Sequence, residues 1–194
     1  GTVNLLNYAR SLKQLNKFLY FSTDEVFGPA SKGINYKEDD RYRSGNPYAA
    51  SKAGGEEMCM AFANTYNLPI LITHTMNVIG ERQHPEKFFP KIINHVLKSK
   101  VLTIHSDQSE TKALSRYYIH AQDVADAVMF LLNKGKSGEK FNIVGADEIN
   151  NLELAQFIAK VQNKELKYEM VDFHSQRPGH DLRYALDGEK MKKM

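Results

Sequence analysis

One stretch, residues 17–28, constrains the fold of this chain more than any other. The apolar and aromatic run Phe18, Leu19, Tyr20, Phe21 ends abruptly in Ser22, Thr23, Asp24 and Glu25, ahead of Val26, Phe27 and Gly28. A continuous apolar run of this length reads as a strand buried on both faces, which parallel sheets favour. Ligands of open α/β sheets collect just beyond the carboxyl ends of such strands, so two hydroxyls and two acids at that point are well placed for chemistry. The same four residues also read as a polar turn capping the next segment.

The flanking sequence alternates in the same style. Residues 2–15 carry apolar positions at helical spacing and feed the 18–22 strand. Residues 29–46 form a long polar loop, and loops of that length in compact domains usually serve function. Pro47 suits the first turn of a helix that continues to about Tyr66, and 69–75 is a second strand ending at Met76, Asn77 and Gly80. Helices then follow at 86–98, 122–132 and 152–161, strands at 101–105, 140–144 and 167–171, and a last short helix near Gly188. Strands alternating with helices make the fold class α/β.

With 194 residues, 42% apolar and 25% charged, the chain suffices for a sizeable core. Its net charge of +3 comes from scattered Lys and Arg, with no basic block, so no nucleic-acid partner is implied. The single cysteine, Cys59, allows no internal disulfide and suits a reducing cytoplasm; mid-helix between Met58 and Met60, it reads as packing. No apolar run approaches the ~18 residues needed to span a bilayer, so no membrane partner is expected. The seven histidines lack metal-ligand spacing, which predicts no metal site. Gly54 and Gly55 lie inside a helix and so do not make a phosphate loop. The first ten residues have helical spacing but no Met and no capping turn, as though the chain begins within a helix of something longer.

Tyr48 and Lys52 stand four apart on the 47–66 helix and so share a face. An ammonium beside a phenol favours the phenolate and lowers its pKa from the ordinary ~10, which suits Tyr48 to act as a general base.

Ser22-Thr23-Asp24-Glu25-Val26-Phe27-Gly28, followed by Asn46-Pro47-Tyr48-Ala49-Ala50-Ser51-Lys52-Ala53, resembles the extended short-chain dehydrogenase/reductases. Within them the pattern is most similar to the nucleotide-sugar 4,6-dehydratases. The resemblance continues in order through Asn77-Val78-Ile79-Gly80, Pro85-Glu86-Lys87-Phe88 with Pro90, and Arg116 before Tyr118-Ile119-His120. It goes on through Asp123-Val124-Ala125 and Phe141-Asn142-Ile143 to Arg177-Pro178-Gly179-His180-Asp181 and Arg183-Tyr184-Ala185.

The resemblance implies dehydration of a dTDP- or UDP-glucose to a 4-keto-6-deoxy sugar. Tyr48 would take the proton of the 4-hydroxyl while hydride passes from carbon 4 to a nicotinamide. Glu25 would then remove the hydrogen on carbon 5, Asp24 would protonate the departing 6-hydroxyl, and hydride would return to carbon 6. An acid and a base are needed at once, so the two carboxyl environments should push their pKa values apart. Related epimerases and decarboxylases lack this acid pair. Thr23 would bind the 4-oxygen. Ser22, Tyr48, Lys52 and Asn77 would hold the nicotinamide end of the cofactor, NAD or NADP. Arg116 and Arg177 would bind the diphosphate, with the substrate-binding Asn142 nearby, Arg doing so in pairs through its planar fork. Asn77, Glu86, Lys87 and His180 would line the sugar or nucleoside.

The family's glycine-rich dinucleotide turn is absent from these residues. The expectation is therefore a C-terminal part only: a partial Rossmann-like parallel sheet, its N-terminal dinucleotide-binding half absent, with a small α/β substrate-binding region and little activity alone. Residues 1–80 and 121–145 would form the sheet domain with its catalytic residues, and 81–120 and 146–194 the nucleotide-sugar region. A homodimer through the 47–66 helix is expected. An epimerase or decarboxylase of the same superfamily, and a non-catalytic nucleotide-sugar binding module, remain open.

Overall fold

A computed structural model describes residues 1–173 and 183–194. The chain opens with α1 (Thr2–Ser11), β1 (Phe18–Thr23), a 3₁₀ turn at Asp24–Phe27, α2 (Pro47–Tyr66), β2 (Ile70–Thr75) and β3 (Val78–Ile79). It continues through α3 (Phe88–Leu97), β4 (Leu102–Ser106), β5 (Ser115–Tyr117), β6 (Ile119–His120) and α4 (Ala121–Lys134). β7 (Lys140–Ile143), β8 (Glu148–Asn150), α5 (Asn151–Val161), β9 (Tyr168–Asp172) and the short α6 (Glu189–Lys192) complete it.

The main sheet is parallel in the order β1-β2-β7, with Thr23 level with Thr75 and His74 level with Asn142. Because side chains alternate across a sheet, β2 sends Ile70 and Ile72 to one face and Leu71 to the other. The first pair packs with Leu6, Cys59 and Phe62 under α1 and α2, while Leu71 packs with Phe141, Val124 and Leu131 under α4. Cys59 is a core residue, its thiol pushed up to about 12 by burial and then by the Glu56 charge. The expectation of a first strand buried on both faces is corrected. β2, hydrogen-bonded on both sides, has Ile70 to His74 fully buried, whereas β1, paired only with β2 among the described strands, leaves Phe21 47% exposed.

Beyond β2 the chain builds a second layer. β4 lies parallel to β9, with α3 and α5 closing over Leu102 and Ile104. β5 runs antiparallel to β8, setting Arg116 level with Ile149. β3 pairs with β6, two short strands that bring Asn77 and the 115–120 segment together. The glycine pair of α2 has a packing reason: a Cβ on Gly55 would come within 2.1 Å of the Tyr20 hydroxyl, so only glycine lets α2 sit this close to β1. No described helix is long and apolar enough to cross a membrane.

Candidate active site

At the carboxyl end of β1 the two readings of the polar quartet coincide. Thr23 ends the strand and caps the 3₁₀ turn: its Oγ1 accepts from the Glu25 N–H at 3.4 Å and donates to Asp24 Oδ1 at 3.0 Å. The turn sends the adjacent acids into different surroundings. Asp24 is only 7% exposed, and burial pushes its carboxyl up to about 6, against the Thr23 hydrogen bond and the Arg116 charge. Glu25 is half-buried and accepts a 2.8 Å hydrogen bond from Asn46 Nδ2. An acid that keeps its proton up to about pH 6 thus stands beside a second carboxyl that accepts from a neutral donor.

Asn46 belongs to the next element. Its Oδ1 accepts from the Ala49 N–H at 2.9 Å and caps α2, whose first residue is Pro47. Two residues on, the Tyr48 ring is half-exposed. Burial raises its phenol first and the Glu25 charge next, while a Thr23 hydrogen bond pulls it down. The expected lowering by Lys52 is corrected. Lys52 shares the face of Tyr48, but its long side chain reaches the sheet, where Nζ donates to the Phe21 carbonyl at 2.8 Å and stands 5.2 Å from the Tyr20 ring centre.

A cavity of about 530 Å³ opens beside the turn. Asp24, Glu25, Asn77, Glu86, Lys87 and Arg116, all singled out in the sequence, line it together with Tyr118, Asn151 and Tyr184. Asn77 is oriented by its Nδ2 hydrogen bond to the Tyr117 carbonyl at 3.1 Å. Arg116, on β5, donates to the Ser115 carbonyl at 2.8 Å and lies 5.3 Å from the Tyr184 ring centre. Burial lowers the Arg116 guanidinium, and the Asp24 charge opposes that. Glu86 and Lys87 stand exposed just ahead of α3.

Two expected contacts lie elsewhere. Asn142 is fully buried: its Nδ2 donates to the Tyr36 and Asp187 carbonyls at 3.0 and 2.9 Å, and its Oδ1 faces His74 Nδ1 at 2.9 Å. Its polar atoms are used inside the fold, and it is not among the residues lining the cavity. Ser22 donates to Glu56, which also accepts from Tyr42 and from His74 Nε2 at 3.0 Å. Arg177 and His180 lie outside the described residues. Among the described residues no group of three or more His, Cys, Asp or Glu is arranged to hold a metal.

Asn46 and Asn151 escaped the sequence reading. The signal for Asn46 was its place directly before Pro47, an N-cap position whose second amide end is free to serve a neighbour. Asn151 is the first residue of α5; its Oδ1 accepts from the Tyr118 hydroxyl at 2.9 Å, and its backbone N–H bonds to the Leu114 carbonyl at 2.8 Å. The pair Asn150-Asn151 at a helix start was its only signal.

The geometry has counterparts among known proteins. A trifunctional UDP-glucose 4,6-dehydratase/3,5-epimerase/reductase of Arabidopsis thaliana is 35% identical over the whole chain, which covers 29% of that protein. A dTDP-glucose 4,6-dehydratase of Bacillus anthracis in complex with NAD superposes with a TM-score of 0.89 at 33% identity, over 99% of this chain and 59% of that one. A Bacillus cereus UDP-glucuronic acid 4-epimerase, with UDP-glucuronic acid and NAD, gives a TM-score of 0.87 at 26% identity, over 99% of this chain and 59% of that one. The chain thus spans about a third to three fifths of the length of these relatives. The expectation of a C-terminal part, with the dinucleotide-binding half absent, is overturned. The family match opens at residue 1 and the B. anthracis match takes in nearly all of this chain, so the Rossmann-like part is represented from the first residue. The sequence model of the NAD dependent epimerase/dehydratase family matches residues 1–144, and the chain belongs to that family.

Proposed function

We propose that this chain carries the catalytic centre of a nucleotide-diphosphate-glucose 4,6-dehydratase, acting on dTDP- or UDP-glucose. The observation that carries this reading is the Asp24–Glu25 pair, two adjacent carboxyls on one cavity wall with different burial and different partners. An epimerization that only inverts carbon 4 needs no such pair, whereas loss of water needs a base for carbon 5 and an acid for the 6-hydroxyl. The overall likeness to the epimerase does not separate the two reactions; the acid pair favours dehydration.

The residues divide the work as follows. Tyr48 takes the proton of the 4-hydroxyl, and Thr23 holds the 4-oxygen. Glu25 removes the hydrogen on carbon 5, made acidic by the adjacent ketone, and after water has left it returns a proton to carbon 5 as hydride adds at carbon 6. Asp24, protonated up to about pH 6, gives its proton to the departing 6-hydroxyl, which leaves as water. Arg116 and Asn151 hold the diphosphate, while Asn77, Glu86 and Lys87 border the sugar and nucleoside; the roles expected of Arg177 and His180 rest on the resemblance alone. Residues 1–80 and 121–145 carry the chemistry, and 81–120 and 146–194 the nucleotide sugar.

The chain's residues fit a nicotinamide cofactor at the carboxyl ends of β1 and β2. Thr75, level with Thr23, has a buried Oγ1 without a partner, and Tyr48 and Lys52 stand nearby on α2 with Asn77 just beyond β2. When bound, NAD supplies a hydride acceptor for carbon 4, a hydride donor for carbon 6, and a positive charge that favours a phenolate. A second copy would pair along α1 and α2, which expose Leu5, Tyr8 and Tyr66. The test is incubation of the full chain with NAD or NADP and each nucleotide sugar. A product one water lighter supports the reading, and an isomer of unchanged mass overturns it.

A further inference from the structure

We propose that Asn46 is a positioning residue that locks the Glu25 carboxylate to the start of the helix bearing Tyr48; the inference rests on the reading of Glu25 as the base for carbon 5. The orientation of the Asn46 amide follows from chemistry. A backbone N–H can only donate, so the end facing Ala49 is the oxygen, at 2.9 Å, and the end 2.8 Å from Glu25 Oε2 is the NH₂. One planar side chain therefore joins two elements that carry different reacting groups.

The sugar explains why that link matters. The proton taken from the 4-hydroxyl and the hydrogen taken from carbon 5 sit on neighbouring carbons of one ring. Phenol and carboxylate must therefore keep a fixed separation, and small misplacements in such sites are costly. The 3₁₀ turn carrying Glu25 is only four residues long and is a separate element from α2. Asn46 bridges them, and Pro47 fixes the backbone between Asn46 and Tyr48. The choice of residue is specific: Asp caps a helix but has no donor, and Ser or Thr has a single oxygen, one bond shorter than the amide, for both tasks, whereas Asn places an acceptor and a donor on two separate atoms.

The test compares Asn46→Ser and Asn46→Ala in the full chain with NAD and dTDP-glucose or UDP-glucose, whichever the wild type converts. Ser keeps a cap, but its one short hydroxyl replaces the separate NH₂ that meets Glu25; Ala loses both. The expected result for Asn46→Ser is a melting temperature close to wild type, a KM within about twofold, and a kcat lower by about tenfold or more. Asn46→Ala should show the same kcat loss together with a lowered melting temperature. On a Glu25→Gln background, where elimination is blocked, Asn46→Ser should leave the rate of oxidation at carbon 4, read as reduced cofactor, unchanged. A wild-type kcat in Asn46→Ser, or a further slowing of that oxidation by about tenfold on the Glu25→Gln background, overturns the inference while leaving the dehydratase reading standing. A wild type that converts neither sugar to a dehydrated product overturns that reading and this inference with it.

Discussion

Lys52 Nζ donates to the carbonyl oxygen of Phe21 at 2.8 Å, fastening α2 to β1 one residue before the polar quartet begins. The ammonium that shares a helical face with Tyr48 is thus used on the strand, and burial and the Glu25 charge leave the phenol raised. The contact gives this cation one role, holding α2 against the sheet; the proposed reaction would add a second, furnishing positive charge to the site.

Replacing Lys52 by Met separates these roles. The lost hydrogen bond should destabilise the fold by about 1 kcal/mol, a drop of roughly 2–4 °C in melting temperature for a chain of this size. Turnover should fall by about 10² or more, the scale of assisted proton transfer. Thermal melts and steady-state kinetics on one preparation check both, and a stability loss without a turnover loss removes Lys52 from the site.

Asp24 makes stability depend on pH in an unusual direction. Its carboxyl is raised from 3.8 to about 6, mainly by burial, so the folded state holds the proton more tightly than the unfolded chain. That contribution is full below about pH 4 and is lost as pH rises through about 6. Asp24→Asn, neutral throughout, should therefore be more stable than wild type at pH 7.5, by up to roughly 3 kcal/mol, with the gap closing toward pH 4. The same variant should lose dehydration, since an amide gives no proton to the 6-hydroxyl. Melting curves from pH 4 to 8 test the sign.

Glu56 has the opposite sign. Burial would raise its carboxyl, but hydrogen bonds from His74, Ser22 and Tyr42, with the His74 charge, outweigh that and hold it below the ordinary range. Its contribution is present above the ordinary carboxylate value and is lost as pH falls through the lowered one. Glu56→Ala strips a fully buried site of its acceptor and should cost about 3–5 kcal/mol. Denaturant titration of wild type and variant at neutral pH gives the difference directly.

Asn142 and Asn151 should behave oppositely. Asn142→Ala orphans two backbone carbonyls and His74, so stability should fall by about 1–3 kcal/mol or more with nucleotide affinity retained. Asn151→Ala should weaken binding of a nucleoside diphosphate several-fold, with a stability loss of about 1 kcal/mol from the Tyr118 hydroxyl left without its acceptor. Arg116→Lys should weaken that binding further, because a point charge replaces a planar fork. Calorimetric titration with dTDP and UDP ranks the three.

Much of this architecture was legible in the residues. The β2 run, the Pro47 helix start and the apolar spacing of α3 and α5 lie within one or two residues of their expected bounds. Their signals are local: a buried run, a proline at a first turn, a period near 3.6. The half-buried state of β1 was not legible, because an apolar run does not say how many neighbours a strand will have. Asn142 misled because an Asn inside a strand satisfies distant carbonyls as readily as a ligand, and its partners at Tyr36 and Asp187 are far off in sequence. The absence of a glycine-rich turn is not the absence of the half that usually carries it. That turn marks one loop, while the Rossmann-like part is carried by helix-to-strand steps that have no short signature.

The central claim is that Glu25 and Asp24 remove water across carbons 5 and 6. The most direct measurement is mass spectrometry of the product formed by the full chain with NAD and the nucleotide sugar in deuterium oxide. The account predicts a product one water lighter carrying one solvent deuterium at carbon 5, and no such product from Glu25→Gln. A product of unchanged mass, epimerized at carbon 4 without deuterium at carbon 5, would contradict it.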